Sequence, residues 1–271
     1  MPNPDRYLLE SSATDGYLLE DGTGVLLLEV SPCYSALVLS DNPIAYWRMD
    51  TTSGTTVRDY STNANNGVLA GTYTLNVIGA LTADSNPAVT FSTPGGRSEA
   101  SAIAAYNVGD VFSLECWVKR TRTAVAIGEV MVVQNGFDSW ALLFGANDTL
   151  NVTQGGEAGV YSSTTTITDT NWHHVVTTKD GPYAFFYIDG VDAGPLIINP
   201  PFPIFNNAFS GIIEIGSGAA GTDEWLFGSI DEVAIYNYAL NPSQVVAHYA
   251  ARLTNCQFLP YVNPMPPFVA Q

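Results

Sequence analysis

The chain has 271 residues, enough for one large β domain with extensions and short for two full domains. Its 26 acidic residues against 9 basic ones leave a net charge of −17, which argues against a nucleic-acid partner, whose phosphates would be repelled at each contact, and favours cations. Only 13% of residues are charged while 46% are hydrophobic, so the surface is built mainly from Thr, Ser, Asn, Gly and small apolar side chains, as suits an assembled or extracellular protein.

The first thirty residues differ from the rest. Tyr7-Leu8-Leu9-Glu10 recurs as Tyr17-Leu18-Leu19-Glu20 and, more loosely, as Leu26-Leu27-Leu28-Glu29, with Asp15-Gly16 and Asp21-Gly22 between the copies. Short apolar runs separated by Asp-Gly turn signals predict small β-hairpins over residues 1–32. A strip this narrow cannot bury both of its faces, so this arm has to lean on something else.

From residue 40 onward the pattern is that of a sandwich. The segment Ala45 to Asp50, AYWRMD, opens it and is followed by the turn-rich loop RDYSTNANNG from Arg58 to Gly67. In FSLECWVK, from Phe112 to Lys119, Phe112, Leu114, Cys116 and Val118 alternate with Ser113, Glu115 and Lys119, predicting a strand with one core face and one wet face. Trp172, His174 and Val176 share a parity, and Tyr183 to Ile188 runs into Asp189-Gly190, a strong hairpin-turn signal. Near the end, Asn241-Pro242-Ser243-Gln244 supplies an N-cap, a Pro at N1 and a Gln at N3, and Val245, Val246, Tyr249 and Leu253 make one helical face over a sheet edge or end. Residues 254–271 carry Pro260, Pro264, Pro266 and Pro267 and predict an extended tail.

Four blocks, AYWRMD with its Asp/Asn loop, FSLECWVK, NWHHVVTTKDGPYAFFYIDGV and FGSIDEVAIYNYALNPSQVVAHYAA, stand in an order that resembles the laminin-G-like, concanavalin-A-type lectin/glucanase jelly rolls. The resemblance covers about residues 40–253 and implies an all-β jelly-roll sandwich with a short C-terminal helix. The hairpin repeat of residues 1–32 is in turn similar to terminal strips of tailed-phage structural proteins. The jelly-roll resemblance also implies a structural calcium, with Asp59 matching the loop Asp and Asp231 the Asp of the GSID strand. Asn63 and Asn66 offer further oxygens of the kind calcium takes. The parity of Asp231 with Val233 and Ile235 agrees, since a carboxylate on a buried face needs a cation or several N–H donors. Asx turns at Asp59 and the asparagines are the other reading of the same loop.

No nucleophile elbow, phosphate-cradling loop or Cys/His metal pattern occurs. The adjacent His173 and His174 point to opposite faces of a strand and cannot act on one ion or proton. For sugars, Trp117, Trp140 and Trp225 are the candidate stacking platforms, although sandwich cores also use tryptophan for packing. Cys33, Cys116 and Cys256 are too few for a disulfide framework. Cys116 predicts an apolar filler within its strand, and whether Cys33 pairs with Cys256 stays open.

These readings converge on a non-enzymatic virion structural protein, a capsid decoration or a tail or fibre accessory. Tyr7, Leu8, Leu9, Tyr17, Leu18, Leu19, Leu26, Leu27 and Leu28 would anchor it to other virion proteins, in many copies or as a homo-oligomer, while the jelly roll adheres to surface glycans. The opening MPNPDRYLLE lacks the pattern of an export signal and no run of about 18 apolar residues would span a bilayer, so production in the host cytoplasm with release by lysis is expected. The alternative is a calcium-dependent carbohydrate-binding module of a bacterial surface or secreted, extracellular protein.

Overall fold

The computed structural model describes residues 16–18, 25–27, 32–92, 94–124, 129–134, 140–145, 147–154, 160–197, 211–218 and 224–255. In the arm, β1 (Gly16–Leu18) and β2 (Val25–Leu27) pair antiparallel as a two-stranded sheet, with Tyr17 opposite Leu26 and Leu18 opposite Val25. The hairpin expected from the Asp-Gly punctuation is present there. Tyr7, Leu8, Leu9, Leu19 and Leu28 lie outside the described residues, as does the tail from Cys256 onward.

A short helix, α1 (Tyr34–Ser40), leads into the sandwich. Its first strands are β3 (Ala45–Trp47), β4 (Thr56–Val57), β5 (Gly67–Ala70), β6 (Tyr73–Ile78), β7 (Pro87–Phe91) and β8 (Arg97–Ala100). Then come β9 (Val111–Arg120), β10 (Glu129–Gln134), β11 (Trp140–Phe144), β12 (Thr149–Gln154), β13 (Val160–Thr166) and β14 (His173–Asp180). The chain closes with β15 (Tyr183–Ile188), β16 (Val191–Ile197), β17 (Ile213–Ile215), β18 (Gly228–Tyr236) and the helix α2 (Pro242–Ala251). One sheet runs β13-β12-β11-β10-β17-β8-β5-β4; the other runs β16-β15-β14-β9-β18-β7-β6, with β3 added against β18. All pairings are antiparallel, and the strands are joined across the sandwich, as expected for a jelly roll.

Between the sheets lies a core built from alternate residues of each strand: Phe112, Leu114, Cys116 and Val118 from β9 meet Met131, Val132, Leu142 and Phe144 from the opposite sheet. The other face of β9 departs from expectation. Ser113, Glu115 and Trp117 are buried as well, because α1 and α2 cover the outer face of this sheet and form a second apolar cluster there with Tyr34, Val38, Tyr46, Trp117, Val176, Tyr187, Tyr236 and Val245. Strand alternation gives the two faces of a sheet but not what covers them.

The α2 cap forms as the sequence implies: Asn241 Oδ1 accepts the Gln244 N–H (3.0 Å) and Gln244 Oε1 accepts the Asn241 N–H (2.9 Å), with Pro242 at N1. The buried face differs. Val245, His248 and Ala251 point inward, whereas Val246 and Leu253 are exposed, since a histidine rather than an apolar residue is what the sheet recruits. The Asp189-Gly190 turn joins β15 to β16 with φ of 54° and 75°, the left-handed pair a two-residue hairpin requires. Cys33 is disulfide-bonded and Cys116 is free and buried.

Candidate functional site

Two buried polar systems lie on the helix-covered side of the sandwich, and they differ in what they can do. The first centres on Glu115, fully buried in β9. Its Oε1 accepts from Tyr34 Oη of α1 (2.8 Å), His174 Nε2 of β14 (2.7 Å) and His248 Nδ1 of α2 (3.0 Å), and its Oε2 accepts from Tyr236 Oη of β18 (2.8 Å). His248 Nε2 continues to Asp41 Oδ2 (3.0 Å), just past α1. Burial alone would raise the Glu115 pKa, but the His248 charge and the two histidine hydrogen bonds outweigh it and hold the carboxyl well below its usual range. Burial likewise opposes the charge on His248, and Glu115 and Asp41 reverse that, raising its pKa. This arrangement is closed to solvent; it pins both helices to the sheet.

The second system opens to the surface. The end of β6, the following loop and the start of β7 line a cleft of about 490 Å³ with Asn76, Ile78, Gly79, Leu81, Thr82, Asp84, Ser85 and Asn86 among its walls. That volume falls within the ~300–1,000 Å³ usual for small-molecule sites. Asp231 and Glu232 support it from β18, where a β-bulge breaks the pairing with β9 between Asp231 and Ala234 and Glu232 takes φ of 51°. Asp231 Oδ2 accepts the Ala80 N–H (2.9 Å), and its Oδ1 is buried without a partner. Gly79 is obligatory at this approach, since a Cβ there would stand 2.2 Å from the Asn86 carbonyl oxygen and 2.9 Å from Asp231 Oδ2.

Arg48 ties the cleft together. Its Nη2 donates to Asp84 Oδ2 (2.7 Å) and Glu232 Oε1 (2.9 Å), and its Nε to Glu232 Oε1 (3.1 Å). Tyr46 Oη donates to Glu232 Oε2, and Asn86 Nδ2 donates to Glu232 Oε1 (3.3 Å). Burial, reinforced by the Glu232 charge, pushes the Asp231 carboxyl well above its usual range. Burial also raises Glu232, to about 7 despite the opposing Arg48 charge.

The sandwich agrees with the match to known families: residues 94–246, more than half the chain, match the model of the concanavalin A-like lectin/glucanases superfamily. The chain belongs to this superfamily. Solved structures similar to this superfamily member include the binding domain of Paraclostridial mosquitocidal protein 1, at a TM-score of 0.62 and 17% identity over 77% of this chain and 52% of that one. Domain 4 of AbnA, an extracellular GH43 arabinanase of Geobacillus stearothermophilus solved in complex with arabinotriose, gives a TM-score of 0.59 and 19% identity over 77% of this chain and 98% of that one. A Trypanosoma rangeli sialidase in complex with the inhibitor DANA gives 0.57 and 15%, over 81% of this chain and 35% of that one. At these identities the likeness is one of fold, and the chain spans about half of the mosquitocidal-protein structure. No curated relative matches the chain.

Within this superfamily domain, the residues expected at a calcium site do not come together. Asp59 Oδ1 accepts the N–H groups of Tyr46 (2.9 Å) and Ser61 (2.8 Å), and Oδ2 accepts that of Asn65 (2.8 Å). Asn66 Oδ1 accepts the Asp59 N–H (2.9 Å), and Asn63 Nδ2 donates to the Ile44 carbonyl (2.8 Å). The loop is therefore built on Asx turns, its carboxylate neutralised by backbone N–H groups. Asp231 shares none of these partners. It is buried as expected, but the bulge removes it from the Val233 and Ile235 face and sets it opposite Trp117. Among the described residues no three His, Cys, Asp or Glu side chains gather as a metal ion would require. Of the four, Asp231 is the one whose buried side-chain oxygen, Oδ1, has no hydrogen-bond partner.

Two of the three candidate tryptophans are likewise corrected. Trp117 is buried under α2, its ring stacked on Tyr249 at 5.8 Å and 21°, and Trp140 is buried between the sheets against Phe112. Neither can meet a sugar. Trp225 is half-buried. Sequence reasoning missed Arg48, Glu115, Glu232 and His248. The available signal was charge in apolar company: Arg48 within AYWRMD, and Asp231-Glu232 between Ile230 and Val233.

Proposed function

We propose that the chain is a non-catalytic, glycan-binding module, with the Asn76 to Pro87 cleft as its sugar site. The observation that carries this is the cleft itself, in which Asp84 and Asn86 are held in place from below by Arg48 and Glu232 while Ile78 and Leu81 supply apolar surface. Fixed planar polar groups beside apolar surface suit a ring that carries hydroxyls on its edge and C–H groups on its face. The arabinotriose complex of the AbnA domain supports a sugar as ligand for this type of sandwich. The carboxylates of the cleft do not form a glycosidase pair, because Glu232 and Asp231 are fully buried. Calcium, if carried, is assigned to Asp231 rather than to the Asp59 loop.

The test is a glycan array with the full chain, followed by calorimetry on the hits. Binding that Asp84→Ala weakens at least about tenfold, in a protein that still unfolds cooperatively with a modest loss of melting temperature, is expected. A blank array would sink the reading.

A second reading concerns where the module is displayed, and the paired β1 and β2 favour it. We infer that the hairpin arm attaches the jelly roll to a larger assembly, a phage virion being the kind in which similar terminal strips occur. The runner-up is the same module on a bacterial surface or secreted protein.

A further inference from the structure

We propose that the cleft discriminates by hydrogen-bond polarity and charge, taking neutral or amino-bearing oligosaccharides that donate hydrogen bonds and rejecting anionic ones. This rests on the glycan-binding reading above. Most donors on the walls are committed internally, the Ser85 hydroxyl and one hydrogen of Asn76 Nδ2 apart. Asn76 Nδ2 donates to the Thr52 carbonyl, Thr82 Oγ1 and the Ala83 N–H both go to the Arg252 carbonyl, and the Asp84 N–H goes to the Leu81 carbonyl. The Asn86 N–H is held by Asp84 Oδ1, and Asn86 Nδ2 is shared between the Arg48 carbonyl and Glu232. Beneath the wall, the Ala80 N–H is spent on Asp231.

What these groups leave to a ligand is chiefly acceptors, the Asp84 carboxylate foremost. A sugar hydroxyl or ammonium can donate to it, whereas a carboxylate or sulfate brings only further acceptors. Charge acts in the same direction. Arg48 has its guanidinium shared between Asp84 and Glu232, so it is already engaged and not free to pair with a ligand anion. Arg252, whose backbone adjoins Thr82, turns its own guanidinium onto the Tyr249 ring at 3.8 Å. An anionic ligand would meet the Asp84 carboxylate with no Lys or Arg among the described residues that line the cleft, a repulsive element that sets specificity as much as any attraction does.

The experiment is amide NMR on the full labelled chain with calcium held constant, titrated separately with arabinotriose, a glucosamine trisaccharide and 3′-sialyllactose. The first two should shift the amides of residues 79–86 and sialyllactose should not. Ile78, 87% exposed at the rim, gives a variant that cannot disturb the core: Ile78→Lys should admit sialyllactose. Asp84→Asn should weaken arabinotriose about tenfold, the loss expected for a charged acceptor. Sialyllactose binding in the wild-type cleft as tightly as arabinotriose overturns the selectivity. Sugars that bind but shift amides elsewhere overturn this cleft as the selector and leave glycan binding standing; if none binds anywhere, both readings fall.

Discussion

At the scale of single residues, Glu115 and Asp231 show how opposite fates follow from similar burial. Glu115 is met by two histidines and two tyrosines, and its depressed pKa means that it stabilises the fold at pH above its ordinary value of 4.5, a contribution lost as pH falls through the lower folded value. His248, raised above 6.5, stabilises fully below that pH, and its contribution fades as pH rises through the folded value. Thermal stability should therefore peak between these two ordinary values. Glu115→Gln should cost several kcal/mol, up to about 3–5, because it leaves the buried His248 with Asp41 as its remaining counter-charge, and should flatten both limbs of the profile. Calorimetry across the acid and neutral range checks this; a wild-type profile without a maximum there would refute it. For Asp231 the sign is reversed, since a raised carboxyl pKa makes the fold lose stability as pH rises above the group's ordinary 3.8. Calcium should raise the wild-type melting temperature by mass action and leave Asp231→Asn unmoved, and a chelator should be without effect on that variant.

Among the elements, α2 carries the most local information. Its capping box satisfies N–H groups that would otherwise be orphaned at the start of the helix, and Asn241→Ala should lower stability by about 1 kcal/mol in a denaturant titration. A larger loss would mean that the cap also positions His248 over Glu115. The inward face of α2 was not legible in its own periodicity, because His248 faces inward only by virtue of the carboxylate that β9 places beneath it. The β18 bulge is similar. Alternation places Asp231 with Val233, yet the left-handed Glu232 inserts a shift that delivers one acid to Ala80 and the other to Arg48.

For the whole molecule, the sandwich and the arm make separate demands. The jelly roll buries its own core between sheets and a second cluster under its helices, so removal of residues 1–30 should leave a folded domain with a cooperative transition near that of the full chain. The arm's leucines, each contributing about 1.5–3 kcal/mol when buried, are in excess of what a narrow hairpin strip hides, and strand addition or groove filling on a partner would bury them. The truncated chain should therefore stay soluble and fail to incorporate into particles, as read by co-sedimentation; normal incorporation would exclude the attachment role. Among the described residues no helix is long and apolar enough to cross a membrane.

The sequence by itself determined the sandwich, the arm hairpin, the Asp189-Gly190 turn and the α2 cap, because each depends on a few neighbouring residues whose φ, parity or capping chemistry is local. The order of the four blocks determined the superfamily for the same reason. Only the tertiary structure decided the sites. Whether Trp117 stacks on a sugar or on Tyr249 depends on a helix more than a hundred residues away. Whether Asp59 binds a cation or three N–H groups depends on how its loop closes on Tyr46. The cleft joins Arg48, Asp84, Asn86 and Glu232, four residues spread over nearly the whole sandwich, and what they offer a ligand is set by the hydrogen bonds left over after folding, a remainder that no local pattern contains.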